Sequence, residues 1–182
     1  SGVDKTEYSF DNATWTSYTV PFTVSAGGNT IVYYKSTDKA GNIETAKTET
    51  IKIDKTVPSG SIIIAGGAAY TNSTSVTLTL SAEDATSKVA QMRFSHRNII
   101  WTPWEAYTTS KAWTFTVGDG TKTVYVQFMD NAGLISPSYQ DTITLDTIKP
   151  TANAGQDQTV NVGATVTFNA GGSTDNIGII SY

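Results

Sequence analysis

The sequence contains an internal repeat. The segment Asp38–Gly41 (Asp-Lys-Ala-Gly) returns as Asp130–Gly133 (Asp-Asn-Ala-Gly), and the segment Asp54–Pro58 returns as Asp146–Pro150. The offset is the same for both pairs, since 130 − 38 and 146 − 54 both equal 92. A fixed period of this length predicts tandem domains, and tandem domains favour a spacer or scaffold over a catalytic protein.

A further match extends the repeat towards the first residue. Tyr8 and Trp15 correspond to Phe94 and Trp101, at an offset of 86. Residue 1 therefore aligns with the third strand of a module, which predicts that the first module lacks its first two strands. The predicted domains are the C-terminal part of a module at residues 1–57, a complete module at 58–149 and the N-terminal part of another at 150–182.

The composition favours β-structure. Thr and Ser are abundant and only 15% of the residues are charged, whereas Leu, Glu, Lys and Arg are sparse for a helical protein. The net charge of −4 provides no basic surface for nucleic acid or anionic membranes, and mild acidity suits divalent cations. The chain has no cysteine for disulfides or thiolate metal sites, and no apolar run long enough to span a membrane.

Short alternating segments predict the strands of a β-sandwich. Val76, Leu78 and Leu80 point to one side of a strand at residues 75–82. Turn signals separate about seven such strands in the second module, and no stretch has helical periodicity. The predicted fold class is therefore all-β, with antiparallel sandwiches in tandem, and a closed barrel is the alternative. A strand is also predicted at residues 164–170, and the start of another at residues 179–182.

These motifs resemble known families of repeat. Over residues 1–150 the chain is similar to the Ig-like repeats of bacterial and archaeal surface proteins, at its two Asp-x-Ala-Gly turns, its two Asp-x-x-x-Pro linkers, Met92–Ser95 and Trp101–Tyr107. The segments Ala152–Val160 and Val166–Asp175 resemble the opening half of a PKD-type module.

The resemblance implies tandem Ig-like sandwiches, one complete and two partial, in an extracellular or cell-surface protein of a bacterium or archaeon. Such modules occur in adhesins, in surface-layer-like proteins and in the accessory regions of secreted hydrolases. The expected function is a non-catalytic structural spacer that can also serve adhesion or filament formation. The alternative is a carbohydrate-binding accessory module of a secreted hydrolase.

The sequence predicts no catalytic set and no bound organic cofactor. His96 is the only histidine, and no Ser, Cys or Asp motif beside it would make it a general base. Two sequons, at Asn12 and Asn72, would accept N-glycans in a competent host.

Calcium is the leading site hypothesis, because hard cations bind several oxygen ligands. Candidate ligands are Asp38 and Asp54 in the first module and Asp130 and Asp146 in the second, with Glu83–Asp84 as a further contributor. The alternative is that these aspartates cap their own turns or belong to linkers.

Aromatic residues offer a second candidate site. Trp101, Trp104 and Tyr107 could form a flat platform on which sugar rings stack. The repeat favours packing instead, because Trp15 and Tyr18 occupy the matching places in the first module.

The expected partners are neighbouring Ig-like modules of the same chain and, in the carbohydrate-binding alternative, a polysaccharide. Other copies of the chain are a further expected partner. In that hypothesis residues 150–182 of one copy donate strands to the incomplete first module of the next, which would build an open fibre. Size-exclusion chromatography that shows only monomer would contradict strand donation.

Overall fold

The structure is a computed structural model that describes residues 1–178. The described chain divides into two compact units. The first comprises Ser1–Val57 together with the loop Asp84–Lys88, and the second comprises Pro58–Glu83 and the chain from Val89 onward. All extended elements of the described residues are β-strands, and the helical content is limited to the 3-10 turns Ala65–Gly67 and Ala170–Gly172. The all-β prediction is confirmed.

The first unit is a single antiparallel sheet. Its strands are β1 (Val3–Ser9), β2 (Thr16–Ser17), β3 (Gly28–Asp38) and β4 (Lys47–Ile53). They lie in the order β2-β1-β3-β4. Because residues alternate between the two faces of a strand, β3 buries Val32 while Ile31 beside it stays exposed.

The second unit contains two sheets. Its strands are β5 (Ser59–Ile64), β6 (Tyr70–Thr71), β7 (Ser75–Glu83), β8 (Val89–Ser95), β9 (Glu105–Ala106), β10 (Ser110–Thr114), β11 (Gly120–Asp130) and β12 (Tyr139–Leu145). One sheet has the order β10-β7-β5 and the other β6-β12-β11-β8-β9. Every pairing is antiparallel except the short contact between β12 and β6. The series β9-β8-β11-β12 repeats the order β2-β1-β3-β4 of the first unit.

The core of the second unit lies between its two sheets. Alternate apolar residues of β5 and β7 pack against alternate apolar residues of β8, β11 and β12, which makes this unit an antiparallel β-sandwich. Phe94 and Phe128 are the largest side chains with almost no exposed surface. One polar contact also joins the sheets, since the Ile64 N–H donates to Asp141 Oδ2 at 2.7 Å.

Gly60 is the point of closest approach in this core. It lies on β5 opposite Ala82 of β7. A Cβ atom at this position would lie 2.5 Å from Phe128 Cε2 and 2.6 Å from the Ser81 carbonyl oxygen. Only glycine leaves room for the Phe128 ring here.

The segment after Pro150 differs from its prediction. No strand forms at residues 164–170, and the described tail is held instead by an isolated bridge between Thr151 and Thr174. An extended segment becomes a strand only when a neighbouring strand pairs with its main chain. The strand expected at residues 179–182 lies outside the described residues. Strand donation by this tail stays a prediction, as do the domain boundaries at 57/58 and 149/150.

The described residues include no helix that is long and apolar enough to cross a membrane.

Candidate functional site

The aspartates of the two Asp-x-Ala-Gly segments organise equivalent turns. Asp38 Oδ1 accepts hydrogen bonds from the N–H groups of Ala40 (2.8 Å) and Asn42 (2.9 Å). Asp130 Oδ1 accepts the matching pair from Ala132 (2.8 Å) and Leu134 (2.9 Å). The glycine of each turn has a φ of 87°, in the left-handed region that favours glycine. Turn capping therefore occupies one carboxylate oxygen of each aspartate.

The second oxygen distinguishes the two turns. Asp38 Oδ2 accepts hydrogen bonds from Asn42 Nδ2 and from the Ser1 hydroxyl, each at 2.9 Å. These interactions, with the Asn42 side chain as the largest, lower the pKa of Asp38 to about 2. Leucine takes the place of Asn42 in the second turn. Asp130 Oδ2 is buried without a hydrogen-bond partner in the part of the chain that the structure describes.

Asp54 and Asp84 come together in the first unit. A carboxylate oxygen of one lies within 4.8 Å of a carboxylate oxygen of the other. The Thr56 hydroxyl lies within hydrogen-bond distance of both, 2.7 Å from Asp54 Oδ1 and 3.2 Å from Asp84 Oδ2. Hydrogen bonds from the Ser87 side chain and then from Thr56 lower the pKa of Asp54 to about 2, so this carboxylate is ionised at neutral pH.

Asp54 also keeps a buried oxygen, Oδ2, without a hydrogen-bond partner within residues 1–178. Asp146, by contrast, accepts from the Ile148 N–H at 3.2 Å, as a linker turn residue would. Of the four predicted ligands, Asp54 and Asp130 thus retain a buried oxygen that a cation would satisfy. Calcium binding stays a prediction, and Asp54 with Asp84 is the pair that best suits it in the first unit.

Calcium should raise the thermal midpoint of the chain, and Asp54→Asn should remove most of that rise. Free calcium at about one hundred times its dissociation constant would add about 2.7 kcal/mol to the stability of the unit that binds it. The measurement is thermal unfolding in millimolar calcium chloride and in chelator. Asp157→Asn, a change at an exposed tail residue, is the matched control. An identical midpoint with and without calcium would contradict the calcium hypothesis.

The predicted aromatic platform encloses an arginine. The Arg93 guanidinium lies 4.4 Å from the centre of the Trp104 ring and 5.0 Å from that of Trp101. Gln127 Oε1 accepts two hydrogen bonds from the same group, at 3.0 and 2.7 Å. Each indole therefore has one face engaged in a cation–π contact. The third platform residue, Tyr107, lies edge-on to Phe128, and its hydroxyl accepts from the Ala82 N–H at 2.9 Å.

The first unit has a simpler version of the same arrangement. Lys35 Nζ lies 3.8 Å from the centre of the Trp15 ring. Lys35 occupies the place that Gln127 takes in the second unit, since the two are 92 positions apart. These contacts favour a packing role for the aromatic residues, while stacking of a sugar on Trp101, Trp104 or Tyr107 stays a prediction.

The remaining predicted sites are surface positions. Asn12 and Asn72 are both exposed, as a glycan acceptor must be. His96 is exposed, and its ring packs against Trp113 at a centroid distance of 4.9 Å. No hydrogen bond joins the imidazole to a Ser, Asp or Glu side chain among the described residues, so the geometry gives no catalytic dyad there.

One feature of the second unit was not predicted. The loop His96–Ile100 and the first residues of β11 enclose a groove with a volume of about 590 Å³. Two adjacent isoleucines, Ile99 and Ile100, are 78% and 83% exposed on this loop. Exposed neighbouring apolar residues in a polar turn were the sequence signal for this surface. The groove forms because β8 ends before the first residues of β11, and the sequence does not specify where β8 ends.

The solved structures similar to this chain include the following three. The PKD1 domain of Vibrio anguillarum Epp is 16% identical, with a TM-score of 0.39 over 50% of this chain and 96% of that one. The fibronectin(III)-like modules of Clostridium thermocellum CbhA are 17% identical, with a TM-score of 0.42 over 79% and 78%. The D00-D0 domain of intimin is 9% identical, with a TM-score of 0.31 over 79% and 85%.

No protein-family model matches the chain, and neither does any curated protein sequence. Of the three structures, the first is a PKD domain, the type of module that residues 152–175 resemble. Independently of them, the packed antiparallel sheets of the second unit define a β-sandwich, and the first unit repeats the strand order of its larger sheet.

Proposed function

We propose that the chain is a non-catalytic structural repeat, a spacer within a larger extracellular or cell-surface protein of a bacterium or archaeon. The observation that carries this proposal is the recurrence of one architecture within the chain. The Asp-capped turn and the strand series around it return after 92 positions, with equivalent hydrogen bonds in both copies. The repeated part is a structural framework and not a reactive site, and this repetition supports a mechanical and geometric role.

The distribution of polar groups supports the same proposal. Buried aspartates serve turns, and Asp141 joins two sheets through the Ile64 N–H. The aromatic residues pack against Arg93 and the core. Adhesion and filament formation are extensions of this role, in which other surfaces of the same modules would meet a partner.

The spacer role predicts that the second unit resists stretching as one body. Tension enters through Pro58 into β5 and leaves through Leu145 of β12, so extension requires the sandwich to open. Single-molecule force spectroscopy on the full chain between handles should show one cooperative rupture for this unit. The released residues 58–145 have an extended length of about 300 Å, because each residue spans about 3.3–3.6 Å. The expected gain in contour length is this length minus the folded distance between the two ends. Gradual extension without a rupture peak would contradict a mechanical role for this unit.

The alternative function, a carbohydrate-binding accessory module, draws support from the groove beside β11 rather than from the tryptophans. Its lining combines the cationic residues Arg97 and Lys122 with hydroxyl groups and two exposed isoleucines, and none of these residues belongs to the core of the sandwich.

A further inference from the structure

The groove of the second unit exists because two neighbouring strands differ in length. β8 ends at Ser95, which pairs with Tyr125 of β11. β11 begins five residues earlier, at Gly120. Residues 120–124 therefore have no strand partner on the side of β8 within the described chain, and the loop His96–Ile100 turns away beside this open edge. We call the resulting surface the loop groove.

The loop groove concentrates positive charge. Its lining includes Arg97 and Lys122 but no aspartate or glutamate. The whole chain carries a net charge of −4, so a cationic lining is opposite to the overall charge. Neither Arg97 nor Lys122 forms a salt bridge in the part of the chain that the structure describes. Unpaired cations that face one groove favour an anionic ligand.

Hydroxyl groups supply the second part of the lining. Thr116, Thr121 and Thr123 border the groove, with Thr121 and Thr123 on the face of β11 opposite to that of Lys122. A threonine hydroxyl can both donate and accept a hydrogen bond. The exposed side chains of Ile99 and Ile100 add an apolar wall. Cations, hydroxyls and an aliphatic wall match the carboxylate, the hydroxyls and the C–H face of a sugar acid.

The loop is held in place by its own contacts. Asn98, whose φ of 59° places it in the left-handed region, accepts a hydrogen bond from the Ser138 hydroxyl at 2.7 Å. The Ser95 hydroxyl accepts another from the Arg97 N–H at 3.2 Å. These contacts hold the main chain from which Arg97 projects, and a loop ordered before binding lowers the entropic cost of binding.

We propose that the loop groove binds an acidic polysaccharide, with Arg97 and Lys122 on the uronate carboxylates and Thr116 on a sugar hydroxyl. An acidic peptide added as a further strand is the competing occupant. Lys122 disfavours it, because a lysine on an open strand edge opposes pairing with another strand. This binding would add to the spacer role and does not depend on it.

The test is binding of the full chain to polygalacturonate oligosaccharides, measured by isothermal titration calorimetry. Fully methyl-esterified oligosaccharides have the same backbone without the charge, and poly-L-glutamate carries carboxylates without sugar. We expect binding to the free acid alone, weakened by added salt. Arg97→Ala and Lys122→Ala should each lower the affinity about tenfold, the effect of losing one charge-assisted hydrogen bond.

Lys52→Ala removes the same charge from an exposed position of β4 and should leave the affinity unchanged. Circular dichroism of each variant confirms that it is folded. Three outcomes would overturn the proposal: no binding of the free acid, equal binding of the methyl ester, or equal binding of poly-L-glutamate. An equal loss in Lys52→Ala would overturn it as well, since the effect would then follow net charge and not the loop groove.

Discussion

Replacement of Gly60 by valine should destabilise the second unit by about 3 kcal/mol, the upper range for an overpacked core. A Cβ at this position would lie 2.6 Å from the Ser81 carbonyl oxygen, which belongs to the paired strand and cannot move without breaking the ladder. The nearest atom of the Phe128 ring would lie 2.5 Å from this Cβ, and the ring is fully buried. Equilibrium urea unfolding followed by tryptophan fluorescence measures the loss.

Gly2→Ala is the matched control, because a Cβ there would meet nothing within 4 Å. Its unfolding midpoint should equal that of the unchanged chain. The cause can also be tested directly: in a Phe128→Leu background, the penalty of Gly60→Ala should shrink, since the smaller side chain leaves part of the space that the new methyl needs. A Gly60→Val variant as stable as the original would show that the two sheets lie farther apart at this point.

Truncation of Phe128 to alanine should cost the second unit about 3–5 kcal/mol. The ring is completely buried, with Tyr107 edge-on at a centroid distance of 5.7 Å and Tyr139 at 6.1 Å on another side. Its removal leaves a cavity that strands from both sheets surround, and such a site collapses poorly. A loss of this size is a large part of the stability of a domain, which is about 5–15 kcal/mol.

Differential scanning calorimetry of the full chain checks this prediction. Phe168→Ala removes the same group from a tail position where the side chain is 73% exposed, and it should change stability by less than about 0.5 kcal/mol. Equal effects of the two substitutions would contradict the assignment of Phe128 to the centre of the core.

The strands with a clear alternation of apolar residues were predictable from the sequence. Val76, Leu78 and Leu80 indicated one face of β7, and those side chains do lie towards the core. The repeat also indicated the Asp-capped turns, because aspartate and glycine at fixed places satisfy the main chain locally. In the tail, alternation at residues 164–170 was misleading, since periodicity describes a face and does not supply a partner strand.

The candidate sites were less predictable, because they depend on register. Arg93 lies between Trp101 and Trp104 only after the chain turns back beside β8, and no local pattern specifies that contact. The loop groove likewise follows from the ending of β8 at Ser95, while β11 extends beyond it. Asp130 Oδ2 has no hydrogen-bond partner among the described residues, and Leu134 stands where the first turn has Asn42. This difference becomes informative only when the two turns are aligned residue by residue.

The Asp-capped turn described for both units also bears on how such a chain folds. Asp38 Oδ1 and Asp130 Oδ1 each accept their hydrogen bonds from N–H groups within four positions, so the hairpins β3–β4 and β11–β12 can form before any distant strand arrives. Contacts between residues close in sequence form fastest. In an array of similar modules, strands of one module could pair wrongly with those of its neighbour, a recognised failure of repeat proteins. A hairpin that closes early on itself withdraws its strands from that competition.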